Sequence, residues 1–195
     1  TMAIRLGDVA PDFTAETTDG TVTFHDWKAG SWAVLFSHPA DFTPVCTTEL
    51  GRTAALSGEF AARNAKAIAV SVDSVEDHLR WVPDIAEVAG VDVDFPIIAD
   101  EDRSVSQAYD MIHPGEGDTS TVRSVFLIDP SNTVRLTITY PKSVGRNFTE
   151  ILRALDALQA TDRSPISTPA EWVPRDRAIV APASISLARS SMTTA

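Results

Sequence analysis

Short buried strands that alternate with helical segments constrain the fold most. Residues 32–36 (WAVLF) have the length and bulky apolar content of a strand buried on both faces, and residues 67–72 (AIAVSV) repeat that pattern. Between them, residues 42–63 are typical of a loop that enters a helix. Strands separated by helices predict an α/β fold.

The middle of the chain continues the alternation. Residues 74–88 predict a helix that Pro83 should kink or end, because proline has no backbone N–H to donate. Residues 95–99 predict another short strand and residues 102–109 a short helix.

A hairpin and a closing helix follow. The strand at residues 124–128 leads into a turn at 129–132, and residues 134–140 then alternate apolar and polar side chains. Asn147, with Glu150 three positions later, is typical of a helix start. This order fits a thioredoxin-like layout, with a central mixed sheet flanked by helices.

Four prolines punctuate the chain from Thr161 onward, and no hydrophobic period accompanies them. We therefore expect a thioredoxin-like domain over residues 1–160 and an extended C-terminal arm over residues 161–195. Thr1, ahead of Met2, is interpreted as a remnant of cloning.

Composition excludes several classes of protein. The formal net charge of -11 opposes binding to a phosphate backbone, so no nucleic-acid partner is expected. No apolar run is long enough to cross a bilayer, and no secretory signal is evident, which favours a cytoplasmic location. The four histidines show no metal-ligand spacing, and no metal or cofactor is expected.

Cys46 is the only cysteine of the 195 residues. Thr43 is a favoured N-cap residue, and Pro44 suits the first helical position, so Cys46 should be the third residue of a helix. The positive end of the helix dipole favours the thiolate there. The alternative is an inert buried cysteine, since Cys46 shares a helical stripe with Leu50 and with Ala54, Ser57 and Ala61.

Glu49 lies one turn from Cys46 and would disfavour a thiolate unless a cation stood nearby. Spacing does not identify that cation. Arg123, Arg146 and Arg52 are the candidates, and the alternative for Arg123 and Arg146 is a solvated loop residue.

The stretch SHPADFTPVCTTEL places Pro39, Thr43 and Cys46 in a Pro-x-x-x-Thr-x-x-Cys pattern, and in this the chain resembles the peroxiredoxins. The longer string is similar to the 1-Cys members of the peroxiredoxin-six type. Supporting stretches are LGDVAPDF, SVDSVEDH, FPIIAD, TVRSVFLIDP and YPKSVGRNFTEILR, so the resemblance spans residues 6–180.

The resemblance implies a thioredoxin-fold peroxidase in which Cys46 is the peroxidatic thiolate. Thr43 would hydrogen-bond the thiolate and the peroxide, Pro39 would shield the site from water, and Arg123 would polarise the peroxide oxygen. The outer residues of the site would be the ion pair of Glu49 and Arg146, and His38 at the pocket. The alternative for His38 is a turn residue before proline.

The resemblance also implies the reaction partners. Hydrogen peroxide or an organic hydroperoxide would oxidise Cys46 to a sulfenic acid, and with no second cysteine an external thiol or other reductant must restore it. A homodimer or higher homo-oligomer is expected, with the arm in contact with the partner. Relatives carry a longer charged arm beyond Val180, where this chain ends in APASISLARSSMTTA.

Two other functions compete with peroxidase activity. Some relatives are credited with phospholipase activity at a Gly-x-Ser-x-Gly site, but around Ser31 both outer glycines are replaced, by Ala29 and Ala33, which disfavours it. A chaperone-like oligomer that does not use the thiol is the second alternative. A dithiol oxidoreductase is excluded, because there is no Cys-x-x-Cys.

Overall fold

The structure, a computed structural model, describes residues 4–117 and 119–180. Its elements in chain order are β1 (Thr14–Thr17), β2 (Gly20–Thr23), α1 (Phe24–Lys28), β3 (Trp32–Ser37), α2 (Pro44–Ala55), α3 (Ser57–Ala62), β4 (Ala65–Ser71), α4 (Val75–Ala89), β5 (Ile97–Ala99), α5 (Ser104–Ala108), a 3-10 helix (Pro114–Glu116), β6 (Arg123–Ile128), β7 (Val134–Tyr140), α6 (Phe148–Arg163), β8 (Ile166–Ser167) and β9 (Ile179–Val180).

Within the described residues, seven strands form one sheet in the order β2-β1-β5-β4-β3-β6-β7. Strand β4 runs parallel to both β3 and β5, whereas β6 and β7 are antiparallel to their neighbours. The sheet is therefore mixed, and helices follow its parallel strands. The predicted α/β fold with a mixed central sheet is confirmed.

Strand β3 lies near the middle of the sheet, and all six of its residues are buried. Leu35 belongs to an apolar cluster with Ile68 of β4 and other strand residues on one face. Phe36 points to the opposite face, where its ring contacts those of Phe95 and Phe148. Burial on both faces explains the uninterrupted apolar run in the sequence.

The helix predicted within residues 42–63 is two helices, because α2 ends at Ala55 and α3 begins at Ser57. The predicted stripe therefore holds only along α2. Leu50 and Ala54 are buried, but Ala61 on α3 is exposed.

Helix α4 continues through Pro83 to Ala89, so of the two predicted effects of the proline, a kink or an end, the end is excluded. Ser74 caps this helix, and its hydroxyl accepts a hydrogen bond from the Asp77 N–H (3.2 Å). Gly90, in the left-handed conformation (φ 69°), provides the C-terminal stop.

The chain divides into two compact units, with the boundary between Phe148 and Thr149. In the second unit, β8 pairs with β9 in antiparallel fashion, so this stretch is more ordered than an extended arm predicts. Trp172 is buried there, and its indole N–H donates to the Asp176 carbonyl (3.2 Å). The predicted boundary at residue 160 stays a prediction.

The tail after Val180 and the N-terminal Thr1 and Met2 lie outside the described residues. In the part of the chain that the structure describes, no helix has the length and apolar character that crossing a membrane requires.

Helix α2 lies close to α4 at Gly51, where a Cβ would lie 3.3 Å from the Ala89 Cβ. We predict that Gly51→Val lowers the free energy of unfolding by about 1–3 kcal/mol, because α4 must move aside. Gly58→Val in α3 is the matched control, since a Cβ there meets nothing within 4 Å. Urea denaturation measures both, and equal effects would contradict this packing account.

Candidate active site

Cys46 lies where the sequence predicts it. Thr43 has the extended backbone of an N-cap residue, Pro44 begins α2, and Cys46 is the third helical residue. Its side chain is completely buried. The Thr43 hydroxyl does not cap the helix, because it donates to the Ala40 carbonyl (2.9 Å).

Arg123 is the charged group that contacts the cysteine. Its Nη1 donates both to Cys46 Sγ (3.3 Å) and to Glu49 Oε2 (2.7 Å). Its Nε donates to the Lys142 carbonyl (2.8 Å), which fixes the guanidinium plane. Because β6 runs antiparallel to β3, its first residue lies at the end of β3 from which the chain leads into α2. The topology therefore delivers Arg123 to the start of that helix.

Arg146 binds the same Glu49 carboxylate through two guanidinium nitrogens and its backbone N–H. Its Nε donates to Glu49 Oε1 (2.9 Å), its Nη2 to Oε2 (2.7 Å), and its backbone N–H to Oε1 (2.8 Å). Its Nη1 donates to the Ser124 carbonyl, and the guanidinium lies over the rings of Phe36 and Phe148. Arg123 and Arg146 therefore both supply the positive charge that the sequence predicts beside Glu49. Arg52, the third candidate, is exposed.

The three charged side chains are all buried, so their charges must balance locally. Burial acts to raise the pKa of Glu49, but the hydrogen bonds and charge of Arg146, with the charge of Arg123, outweigh it and hold that pKa below its ordinary value of 4.5. Two guanidinium groups and one carboxylate leave one positive charge. A thiolate at Cys46 would neutralise it.

The segment that joins β3 to α2 carries the remaining predicted residues. Pro39 is half-buried, and His38 is completely buried. Phe42 adopts a left-handed backbone (φ 56°), which is strained for a bulky side chain, and its ring contacts Trp81 of α4. The segment is thus fixed by contacts from a neighbouring helix.

Two site residues were missed by the sequence analysis. Asp41 accepts from His38 Nε2 (2.8 Å) with one carboxylate oxygen, and its other oxygen lies 2.5 Å from His78 Nδ1. All three side chains are buried. The two histidines are forty positions apart and come from different elements, so no search for local histidine spacing could pair them. The stretch SVDSVEDH, which carries His78, was the only available signal.

Ser31, the residue of the phospholipase alternative, and His25, the histidine nearest to it in the sequence, hydrogen-bond to other groups. The Ser31 hydroxyl donates to the Lys28 carbonyl and is buried. His25 Nε2 contacts the Ala10 carbonyl (2.9 Å), and its Nδ1 lies 3.8 Å from Asp12. A serine hydrolase needs its nucleophile within hydrogen-bond reach of a base, so this geometry gives the phospholipase alternative no support.

A thioredoxin-like mixed sheet with one buried cysteine at a helix start, held by an arginine, defines a single-thiol redox protein. Residues 6–137 match the AhpC/TSA family. The chain is 51% identical over 179 residues to the 1-Cys peroxiredoxin of Dictyostelium discoideum, covering 92% of this chain and 74% of the relative.

Solved structures agree with this match. The structure is similar to that of a cysteine-to-serine mutant of peroxiredoxin 6 from Arenicola marina (TM-score 0.90, 47% identity, 96% of this chain and 89% of the other). It is also similar to a yeast mitochondrial 1-Cys peroxiredoxin (TM-score 0.87, 50% identity, 91% and 86%). The chain belongs to the AhpC/TSA family and is a peroxiredoxin of the 1-Cys type, a peroxide-reducing oxidoreductase.

We predict that Glu49→Gln lowers the free energy of unfolding by about 3–5 kcal/mol, because two buried guanidinium groups lose their counter-charge. Glu59→Gln, which alters the exposed ion pair between Glu59 and Arg63, is the control and should cost less than about 1 kcal/mol. Guanidinium chloride denaturation measures both. Equal losses in the free energy of unfolding would contradict the prediction, because the buried cluster would then stabilise the protein no more than a surface ion pair does.

The Glu49 contribution also depends on pH. Because its folded pKa is depressed, the stabilisation is fully present above the ordinary value of 4.5 and is lost as the pH falls through the lower folded value. The stability difference between wild type and Glu49→Gln should therefore shrink below pH 4.5. A difference that grows as the solution is acidified would contradict this.

Proposed function

We propose that Cys46 is the peroxidatic residue of this peroxiredoxin and that Arg123 is its main catalytic partner. The observation that carries the proposal is the position of Arg123 Nη1, which contacts both Cys46 Sγ and Glu49. This one N–H group ties the reacting sulfur to a buried ion pair, and a substrate oxygen at the sulfur would lie within reach of the same guanidinium.

The reaction is a two-electron oxidation of the thiolate. Cys46 Sγ attacks one oxygen of hydrogen peroxide or an organic hydroperoxide, and the O–O bond breaks as the S–O bond forms. The other oxygen departs with the electron pair, takes up a proton, and leaves as water or an alcohol. Cys46 is then a sulfenic acid.

The residues around Cys46 assist this reaction in different ways. Arg123 stabilises negative charge on the departing oxygen, and the Thr43 hydroxyl, at the start of α2, contacts the peroxide. Pro39 limits the access of water. Glu49 and Arg146 hold the Arg123 guanidinium in place through the shared carboxylate.

Access to the sulfur requires local movement. Cys46 has no exposed surface, and a peroxide is larger than water. Within the segment from His38 to Thr43, the half-exposed Phe42 side chain is the group that opens, since it lies next to the helix start and is exposed while His38 and Asp41 are buried. Its closure then removes water from the reacting atoms.

Regeneration needs a thiol from outside the chain, because Cys46 is its only cysteine. One external thiol displaces hydroxide from the sulfenic acid to give a mixed disulfide and water, and a second thiol releases Cys46. The yeast mitochondrial relative is described as using glutathione and thioredoxin systems in its thiol resolving mechanism. We extend thiol reduction to this chain.

A homodimer is also proposed, with the cytoplasm as its compartment. In the described residues, β7 is an end strand of the sheet, so one of its edges is available to a strand of a second copy. Sedimentation equilibrium should give twice the chain mass of 21.0 kDa, and a value of one chain would exclude the dimer.

Peroxide consumption without reductant tests the function. We predict that the protein consumes one equivalent of hydrogen peroxide per chain and then stops, and that dithiothreitol restores turnover, because one thiol is oxidised per cycle. Cys46→Ser should consume none, while Ser31→Ala should match wild type. Continued peroxidase activity in Cys46→Ser would contradict the proposal.

A further inference from the structure

A buried group of three titratable residues lies beside the active-site segment but outside the peroxide chemistry described above. His38 follows β3, Asp41 precedes α2, and His78 lies in the first turn of α4. The Asp41 carboxylate stands between the two imidazole rings, which have centroids 6.1 Å apart. The side chains of both histidines have no exposed surface.

The hydrogen bonds of His78 fix its proton count. Its Nδ1 faces Asp41 Oδ2 (2.5 Å), and its Nε2 faces the Ile98 carbonyl oxygen (3.1 Å). Both partners are acceptors when the carboxylate is ionised, and a neutral imidazole has only one N–H. Both bonds form together only if His78 is an imidazolium.

His38 has the complementary arrangement. Its Nε2 donates to Asp41, and its Nδ1 is buried without a hydrogen-bond partner among the residues that the structure describes. A proton on Nδ1 would be a buried donor with no acceptor, so a neutral ring protonated on Nε2 costs least. Burial lowers the pKa of His38, and this agrees with the neutral form.

The carboxylate is ionised in this arrangement. Burial acts to raise the pKa of Asp41, but hydrogen bonds from His38 and His78 outweigh it and hold that pKa low. The backbone N–H of Asp41 donates to Asp73 (3.1 Å), which adds a second negative charge nearby. An imidazolium at His78 is therefore paired directly with the Asp41 carboxylate.

The distances favour shared protons over a bound metal ion. These three residues are of ligand type and close together. However, two ligands at about 2.1 Å from a tetrahedral zinc ion would lie about 3.4 Å apart. The observed separations of 2.8 and 2.5 Å are those of direct hydrogen bonds.

We infer that Asp41 and His78 are positioning residues of the peroxidase. The buried ion pair of the His78 imidazolium and the Asp41 carboxylate holds His38 in its Nε2–H form. The same pair anchors the segment between β3 and α2 to α4. The Nδ1 lone pair of His38 stays free inside that segment. The pair also offsets the strain of Phe42 by fixing the residue before it. The effect on turnover rests on the proposed function, but the protonation pattern does not.

Nitrogen-15 labelling of the histidines and long-range proton–nitrogen NMR correlation test the pattern directly. In folded wild type, His78 should show two protonated ring nitrogens, and His38 should show a bare Nδ1. His38→Gln and His78→Gln provide the assignments. An unprotonated nitrogen on His78, a proton on Asp41, or a stoichiometric metal ion in the purified protein would overturn the inference, and none of these outcomes depends on peroxidase activity.

Asp41→Asn tests the positioning role. A carboxamide has one acceptor and one donor group, so it cannot accept from both rings, and at least one histidine must change its protonation pattern. We expect that change in the spectrum, with a fall on the order of tenfold in the rate of Cys46 oxidation, as for other carboxylates that orient a histidine. Asp84→Asn, at an exposed position on α4, is the matched control and should match wild type in both measurements.

An unchanged oxidation rate in Asp41→Asn would overturn the positioning role. If Asp41→Asn does not fold, the wild-type spectrum still decides the protonation pattern.

Discussion

The Glu49 carboxylate, shared by Arg123 and Arg146, is the interaction on which the site depends. It joins three parts of the first compact unit: helix α2, the start of β6, and the segment between β7 and α6. Its two oxygens fix both guanidinium groups, and one of them reaches Cys46. The carboxylate that could have discouraged a thiolate instead orders the cations that favour one. Without it, two buried positive charges would repel each other beside the sulfur.

The sheet topology decides which side chains meet there. Strands β3 and β4 are parallel, and each leads into a helix, so the starts of α2 and α4 lie at the same edge of the sheet. Cys46 is in the first turn of one helix and His78 in the first turn of the other. Antiparallel β6 returns Arg123 to this edge. The positions of the Cys46 sulfur, of Arg123 and of the two buried histidines thus follow from one strand order.

The sequence predicted the parts of the fold that have strong local patterns. The buried run at β3, the hairpin of β6 and β7, and the N-terminal start of α2 at Thr43 and Pro44 were all recognisable, because apolar period and cap chemistry are local. The strands β1 and β2 were missed, since they have four residues each and half of these residues are threonine. The break between α2 and α3 was missed as well, although Ser57 and Gly58, a pair typical of turns, follow Leu56 directly.

For the site, local chemistry predicted that Glu49 needed a cation but not which arginine would supply it. The resemblance to peroxiredoxins chose Arg123 and Arg146, and the structure shows both on the carboxylate. The Asp41 and His78 contact is a purely tertiary feature, so spacing along the chain could not indicate it. The catalytic roles of Cys46, Arg123, Thr43 and Pro39 and the place of His38 at the pocket remain predictions from the resemblance.

Mass spectrometry after one equivalent of hydrogen peroxide, with a reagent that traps sulfenic acids, tests the central claim most directly. The account predicts that the trapped adduct forms on Cys46 in the folded protein, and that replacing Arg123 with a neutral residue of similar length, such as Gln, strongly slows its formation. Unmodified Cys46 in a folded protein that has consumed the peroxide would contradict the account.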